Sequence, residues 1–224
     1  MFQRTELLIG KENLAKLASS RIAVFGLGGV GGYVVEALAR AGVGELILID
    51  SDKIDISNLN RQILALNSTI NQFKVDVAFS RIADINPNCV VKPHRLFVDS
   101  STINDIDFTN LTFCVDAIDT LVAKVDIVKK AQQFNVPIIS CMGTANRTTA
   151  DFVIKDVFST SNCPLASKFR TLLRKQSIKS LPVLVSLSPA EVKCVNPLSS
   201  ISYAPAIAGL LIAQYIIKHI IDNN

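Results

Sequence analysis

Between Asp50 and Lys74 the chain carries Asp50, Asp52, Asp55, Asn58, Asn60, Arg61, Gln62 and Lys74, and a second pair of acids follows at Asp116 and Asp119. Arginine offers phosphate oxygens a planar fork and lysine a point charge. A triphosphate under attack requires such groups, and a dinucleotide pyrophosphate largely does not. Asp119 is a candidate Mg²⁺ ligand, because that ion is commonly held by one or two carboxylates together with nucleotide phosphates. The plainer alternatives are an exposed polar helix cap for the 51–62 cluster and a cap on the following helix for Asp119.

Such groups need a phosphate within reach, and the stretch from Arg21 to Asp50 supplies the means. An apolar run, Ile22 to Phe25, ends in Gly26-Leu27-Gly28-Gly29-Val30-Gly31-Gly32, and a helical pattern then carries Val34, Val35, Leu38 and Ala41 until Gly42 stops it. A second apolar run, Leu46 to Ile49, closes on Asp50. This is a βαβ unit with an acid at the tip of its second strand. Gly26 allows a sharp turn, Gly28 removes a side chain where a phosphate must approach, and Gly31 lets the helix pack on the strand. The helix N-terminus points free N–H groups and partial positive charge at the anion. An acid at Asp50 suits any ribose with free hydroxyls, so this unit alone leaves the nucleotide open, NAD included.

Around this unit the periodicity predicts an extended lead-in and a short helix over 5–18, broken at Gly10, with Arg4 read as a surface charge. A helix over 75–85 opened by Lys74, strands at 89–93 and 111–118, and a small helix over 100–107 follow. Next come a helix over 121–134, strands at 136–140 and 152–157, and a basic helix with Lys168, Arg170, Arg174 and Lys175. An apolar helix over 202–221 ends the chain. The expected fold class is α/β, Rossmann-like, with a mostly parallel central sheet flanked by helices. It forms one domain over 1–224: a nucleotide-binding half, 1–150, and a less regular substrate-side section, 151–224.

Composition narrows the classes. Two histidines, His94 and His219, stand far apart, which leaves little material for a zinc site or a histidine-based triad. Five cysteines, Cys89, Cys114, Cys141, Cys163 and Cys194, include no Cys-x-x-Cys pair, and the N-terminus lacks the shape of a secretory signal. The expectation is a cytoplasmic protein with reduced thiols. A net charge of +4 is compatible with a polyanionic partner such as RNA and also with ordinary solubility. The C-terminal run is interrupted by Gln214, Lys218 and His219. It is expected to be a buried or subunit-interface helix rather than an integral membrane span, with peripheral membrane contact left open.

Taken jointly, Arg4, Gly26-x-Gly28-Gly29-x-Gly31, Leu48-Ile49-Asp50-x-Asp52, Ser57-Asn58-Leu59-Asn60-Arg61-Gln62, Lys74 and Asp116-Ala117-Ile118-Asp119 resemble the HesA/MoeB/ThiF group related to ubiquitin-activating enzymes. The resemblance implies an ATP site that transfers AMP to a carboxylate. Asp50 would serve the ribose, Asn58, Arg61 and Lys74 the phosphates, and Asp119 Mg²⁺, with Gln62 and Asp52 beside them. Arg4 would reach a partner subunit's nucleotide in a homodimer. Within that group, Phe2-x-Arg4-Thr5, Ile85-Asn86-Pro87, Met142-Gly143 and Cys163-Pro164-Leu165-Ala166 look most like the tRNA threonylcarbamoyladenosine dehydratases. These use ATP to cyclise a modified adenosine of tRNA. The stretch 144–150 lacks the Gly-Asn-Lys and Asp-Pro features expected of that subgroup.

What the resemblance implies is therefore ATP, Mg²⁺ and tRNA, with Asp119, Arg61 and Lys74 catalytic. A sulfur-relay or other protein partner is a further candidate. Related activating enzymes use a catalytic cysteine, which makes Cys163 a candidate nucleophile, but an intramolecular ring closure needs none. Three alternatives stand beside this reading. One is an adenylyltransferase acting on the C-terminal glycine of a ubiquitin-like sulfur-carrier protein; the missing Cys-x-x-Cys pairs argue against it. The second is a non-catalytic nucleotide-binding module, and an NAD oxidoreductase is the weakest.

Overall fold

The structure, a computed structural model, describes residues 1–191 and 198–222. Cys194 therefore lies outside the described residues. The lead-in differs from the extended segment expected: it is two short helices, α1 (Gln3–Ile9) and α2 (Lys11–Ser19), hinged at Gly10 with φ +84°. Glycine adopts that left-handed backbone without a Cβ penalty, so Gly10 redirects the chain between helical segments.

From there strands and helices alternate: β1 (Arg21–Phe25), α3 (Gly31–Ala41), β2 (Glu45–Ile49), α4 (Lys74–Ile85), β3 (Val90–His94) and β4 (Phe113–Asp116). The chain continues through α5 (Leu121–Gln133), β5 (Ile138–Cys141), β6 (Phe152–Asp156), α6 (Pro164–Lys175), β7 (Pro182–Ser186) and α7 (Tyr203–Asp222). The small helix expected over 100–107 is a 3₁₀ turn at Thr102–Asp105. Gly42 ends α3 in the left-handed conformation, φ +95°, and its N–H bonds back to the last carbonyls of the helix.

The seven strands form one sheet in the order β3-β2-β1-β4-β5-β7-β6. Every pairing is parallel except the edge pair β6–β7, which runs antiparallel from Phe152↔Ser186 to Asp156↔Pro182. The inner strands β1, β2, β4, β5 and β7 are covered on both faces and read as continuous apolar runs, whereas the edge strand β3 is largely exposed. Alternate residues divide the core: Ile22, Val24, Leu46 and Leu48 face α3, α4 and α7, while Ala23, Phe25, Ile47 and Ile49 face α5 and α6. The sheet order reverses at β1, whose neighbours are β2 and β4. Ligands of open α/β sheets bind beyond the carboxyl ends of the strands at such a switch point.

Candidate active site

At that point the chain leaves β1 through Gly26, whose φ is +88° and whose N–H donates to the Ile49 carbonyl at 2.8 Å. The glycines of this turn differ in what they leave room for. A Cβ on Gly31 would stand 1.7 Å from the Gly26 carbonyl oxygen, so Gly31 is required by the packing of α3 on its own turn. A Cβ on Gly29 would meet Pro205 at 3.0 Å, which assigns that glycine to the approach of α7. A Cβ on Gly28 would meet only Gln62 Nε2, at 3.9 Å. Nothing in the protein demands a glycine there; the open space faces a cleft.

The cleft has a volume of about 630 Å³, a size suited to a small-molecule ligand. It is lined by Gly26, Gly28, Gly29, Asp50, Asp52, Asn58, Arg61, Gln62, Lys74 and Asp119, which the structure thus brings together from segments far apart in sequence. Gly31 sits behind the turn rather than in this lining. Arg4 is exposed on α1, outside it. Cys163 is buried at the start of α6, outside it as well, where its Sγ accepts the Ala166 N–H at 3.5 Å and caps the helix.

Asp50 holds the floor. One carboxylate oxygen accepts the Leu27 N–H at 2.7 Å and the other the Asp52 N–H at 2.8 Å. Burial nevertheless raises its pKa above the usual aspartate range, against the opposing pull of Lys74 and the two N–H groups. Lys74, the first residue of α4, is buried, with its Nζ 2.7 Å from Asp52 Oδ2 and 3.9 Å from Asp50 Oδ2. Its cation is thereby aimed along the strand-end acids.

The 51–62 cluster is built by a reciprocal cap on a 3₁₀ turn at Ile56–Asn58. Asp55 accepts the Ser57 N–H at 2.8 Å, and the buried Asn58 accepts the Asp55 N–H at 3.1 Å. The cap reading of this cluster is therefore realised on Asp55 and Asn58, and it leaves the side chains of Arg61 and Gln62 outside the cap. Arg61 Nη1 donates to the Ser57 carbonyl at 2.8 Å and to Asn60 Oδ1 at 2.9 Å, which leaves the rest of its fork for a ligand. Gln62 is buried, and its Oε1 has no hydrogen-bond partner. A buried acceptor without a donor normally marks a group awaiting water, ion or ligand.

Asp119 stands exposed at the carboxyl end of β4 and receives only a 3.4 Å contact from the Thr120 hydroxyl. The residue at the N-cap of α5 is Thr120, without a side-chain cap bond, so the capping role considered for Asp119 is not what the fold uses. Beneath it lies a fully buried pair. Lys124 Nζ donates to Asp116 Oδ1 at 3.0 Å and to the Ile118 carbonyl at 2.9 Å, pinning the loop that carries Asp119. Among the described residues no three His, Cys, Asp or Glu side chains cluster tightly enough to cage a metal. An exposed carboxylate at Asp119 in the cleft lining fits the donor chemistry of a divalent cation, which takes one or two carboxylates beside nucleotide phosphates.

The cleft is lined as well by Leu96 to Val98, Thr144, Ala145, Leu198, Ser200 and Pro205, none of which the sequence reading named as a site residue, although Thr144 and Ala145 belong to the 144–150 stretch it marked as departing from the subgroup's pattern. Leu96 to Val98 follow β3, and a position just past a parallel strand's carboxyl end was the available signal. Thr144 and Ala145 are held by the buried Asn146. Its Oδ1 accepts the Ser199 N–H at 2.8 Å and hydroxyl at 2.9 Å, while its carbonyl accepts the Glu191 N–H at 2.8 Å.

The ThiF family matches this chain from residue 2 to residue 224. The chain belongs to the ThiF family. A relative in this family from Bacillus subtilis, a tRNA threonylcarbamoyladenosine dehydratase, is 39% identical across 99% of the chain and 95% of its own length. One of the same description from Haemophilus influenzae is 37% identical over 73% of the chain, an alignment that spans 63% of that protein. The Escherichia coli tRNA N6-threonylcarbamoyladenosine dehydratase solved in complex with ATP has the same fold. Its TM-score is 0.92 at 27% identity, over 99% of this chain and 93% of that one.

Proposed function

We propose that this protein uses ATP to activate the threonyl carboxylate of tRNA threonylcarbamoyladenosine and closes it into the cyclic form. The observation that carries this reading is the cleft itself: a cation pair, Arg61 and Lys74, and a free carboxylate, Asp119, ring the open Gly28 turn. The chain aligns end to end with a dehydratase and with an ATP-bound fold.

A carboxylate is a poor electrophile because its leaving oxygen is basic. Attack of the threonyl carboxylate oxygen on the α-phosphorus forms an acyl–phosphate bond and expels pyrophosphate. An oxygen already on the nucleoside then attacks the acyl carbon, and AMP leaves with the electron pair. The net change is ATP to AMP and pyrophosphate, with one water lost from the nucleoside. In this reading Asp50 accepts the ribose hydroxyls, Asn58 and Gln62 orient the phosphates, and Arg61 and Lys74 balance charge that grows at the leaving oxygens. Asp119 would hold Mg²⁺, which when bound neutralises phosphate charge.

Ring closure within one substrate needs no enzyme nucleophile, and Cys163 serves the fold as a helix cap. Residues 1–224 act in this reading as one adenylating domain, the first 150 holding the nucleotide. A homodimer would let Arg4 of one protomer serve the other's cleft, and a tRNA substrate fits a cytoplasmic protein. The test is incubation with Mg·ATP and tRNA bearing threonylcarbamoyladenosine, then digestion and mass spectrometry. A nucleoside lighter by one water, formed only with ATP, is the expected result. If no such product forms while ATP–pyrophosphate exchange proceeds with a sulfur-carrier protein, the reading is replaced by the adenylyltransferase one.

A further inference from the structure

The chain's positive charge is segregated. Between Asp156 and Glu191 stand Lys168, Arg170, Arg174, Lys175 and Lys179 and no acid; without those five, 18 basic residues face 19 acidic ones, so the whole excess of +4 resides in this segment. Elsewhere several surface cations are paired with acids: Arg21 with Glu45 and Asp107, Arg40 and Arg81 with Glu36, Lys92 with Glu45, Arg95 with Asp76. Among the described residues none of the five forms an ion pair. Asp156, at the border, has its carboxylate occupied by the Ser180 hydroxyl and by the Phe158 and Leu181 N–H groups.

Helix physics explains part of this and not the rest. Ala166, Phe169 and Leu173 are the buried stripe of α6, and the charged residues occupy the remaining faces. Arg174 and Lys175, in the last turn, suit the negative end of the helix dipole. The dipole equally favours an acid in the first turn, and none is there. It gives no reason for Lys168 or for Lys179 beyond the helix. Helix α6 begins at the cleft's end of the sheet and runs away from it, so Lys168 is nearest the cleft and Arg174, Lys175 and Lys179 lie toward the start of β7 at Pro182. Thr144 and Ala145 of the cleft wall follow β5, and the next strand, β7, ends near the start of α6, where Asn162 Nδ2 donates to the Leu187 carbonyl at 3.4 Å.

We propose that the exposed face of α6 and the turn after it, carrying Lys168, Arg174, Lys175 and Lys179, is a docking surface for the RNA phosphate backbone. It would seat the body of the tRNA while one base enters the cleft. The surface deepens the proposed function and rests on it for the identity of the RNA. Phosphate contacts position a nucleic acid without reading sequence, and each releases bound counterions.

The test compares the full chain with Lys168→Gln/Lys175→Gln/Lys179→Gln in tRNA binding across a salt series, with the ATP-induced rise in melting temperature measured on both. The expected result is roughly ten- to hundredfold weaker tRNA binding at moderate salt and a salt slope shallower by about 2, with the ATP-induced rise unchanged. Dehydration by the variant should show a raised KM for tRNA and an unaltered kcat. Equal affinity and equal slope in the two proteins would overturn the surface, even if dehydration is observed. Binding that shifts with the variant while no dehydration occurs supports the surface and removes the proposed activity instead. Strong binding to anionic lipid vesicles but not to tRNA would also overturn it.

Discussion

Asp119 is exposed and makes one weak contact, so its contribution to the fold is small while its proposed contribution to the reaction is large. Asp119→Ala is expected to melt within about 0.5 kcal/mol of the parent and to lose nearly all ATP-dependent product. Thermal melts and mass spectrometry on the same preparation check both, and normal turnover would remove Asp119 from the metal role. Asp50 is the opposite case, since burial raises its pKa. A carboxyl group whose folded pKa lies above its unfolded one binds more protons when folded, so its contribution to stability is lost as pH rises through that window. Without ATP, the parent should lose stability relative to Asp50→Asn as pH rises from below 3.8 through the raised value. ATP affinity should move the other way, because the ionised carboxylate is the better acceptor for a ribose hydroxyl. Parallel melts and ATP titrations of the two proteins across pH check the signs; identical pH profiles would show that Asp50 titrates normally.

Among the elements, the glycine turn was fully legible in the sequence because its physics is local: strand, turn, helix and acid follow one another within Arg21–Asp50. So was Lys74 as the first residue of a helix. The Asn146 clamp and the Asp116–Lys124 pair were not, because each depends on partners fixed by the packed sheet rather than by spacing. Lys124 in particular reads as an ordinary helix lysine until α5 is seen laid over β4 and β5. The sequence reading already separates the duties of Gly26, Gly28 and Gly31; the structure puts a distance on the packing at Gly31 and adds Gly29, whose Cβ would meet Pro205. Gly31→Ala would put a methyl group into the Gly26 carbonyl and should cost about 3 kcal/mol or more, if the protein folds at all. Gly28→Ala adds its methyl to open space in the cleft and should leave the melting temperature nearly unchanged while abolishing the ATP-induced rise. Equal damage to stability by both would mean that the turn is structural throughout and that the opening at Gly28 is not a phosphate seat.

At the scale of the molecule, the cleft is held from behind by the far end of the chain. Helix α7 is long and apolar enough to resemble a membrane span by composition, yet Ala204, Ala208, Ile212, Ala213 and Ile216 are buried in the core it shares with α3. It touches the glycine turn and the start of α3 at two points. Pro205 lines the cleft and would meet a Cβ on Gly29, and a Cβ on Gly209 would lie 2.5 Å from the Val30 carbonyl and 2.8 Å from Tyr33 Cβ. Gly209→Ala therefore sets two effects against each other. Helix propensity favours alanine by about 1 kcal/mol, but a backbone oxygen at 2.5 Å cannot yield as a flexible side chain would, and α7 must move off α3. Such overpacking costs about 1–3 kcal/mol, so the net expectation is a modest fall in melting temperature. Because α3 begins at the turn, the displacement should also weaken ATP binding, although Gly209 lies outside the cleft lining. Leu210→Ser, on the outer face of α7 and 48% exposed, is the control and should leave ATP affinity intact. If Gly209→Ala lowered the melting temperature while ATP affinity stayed at the parent value, α7 would be core packing alone, and the turn would hold its shape without it.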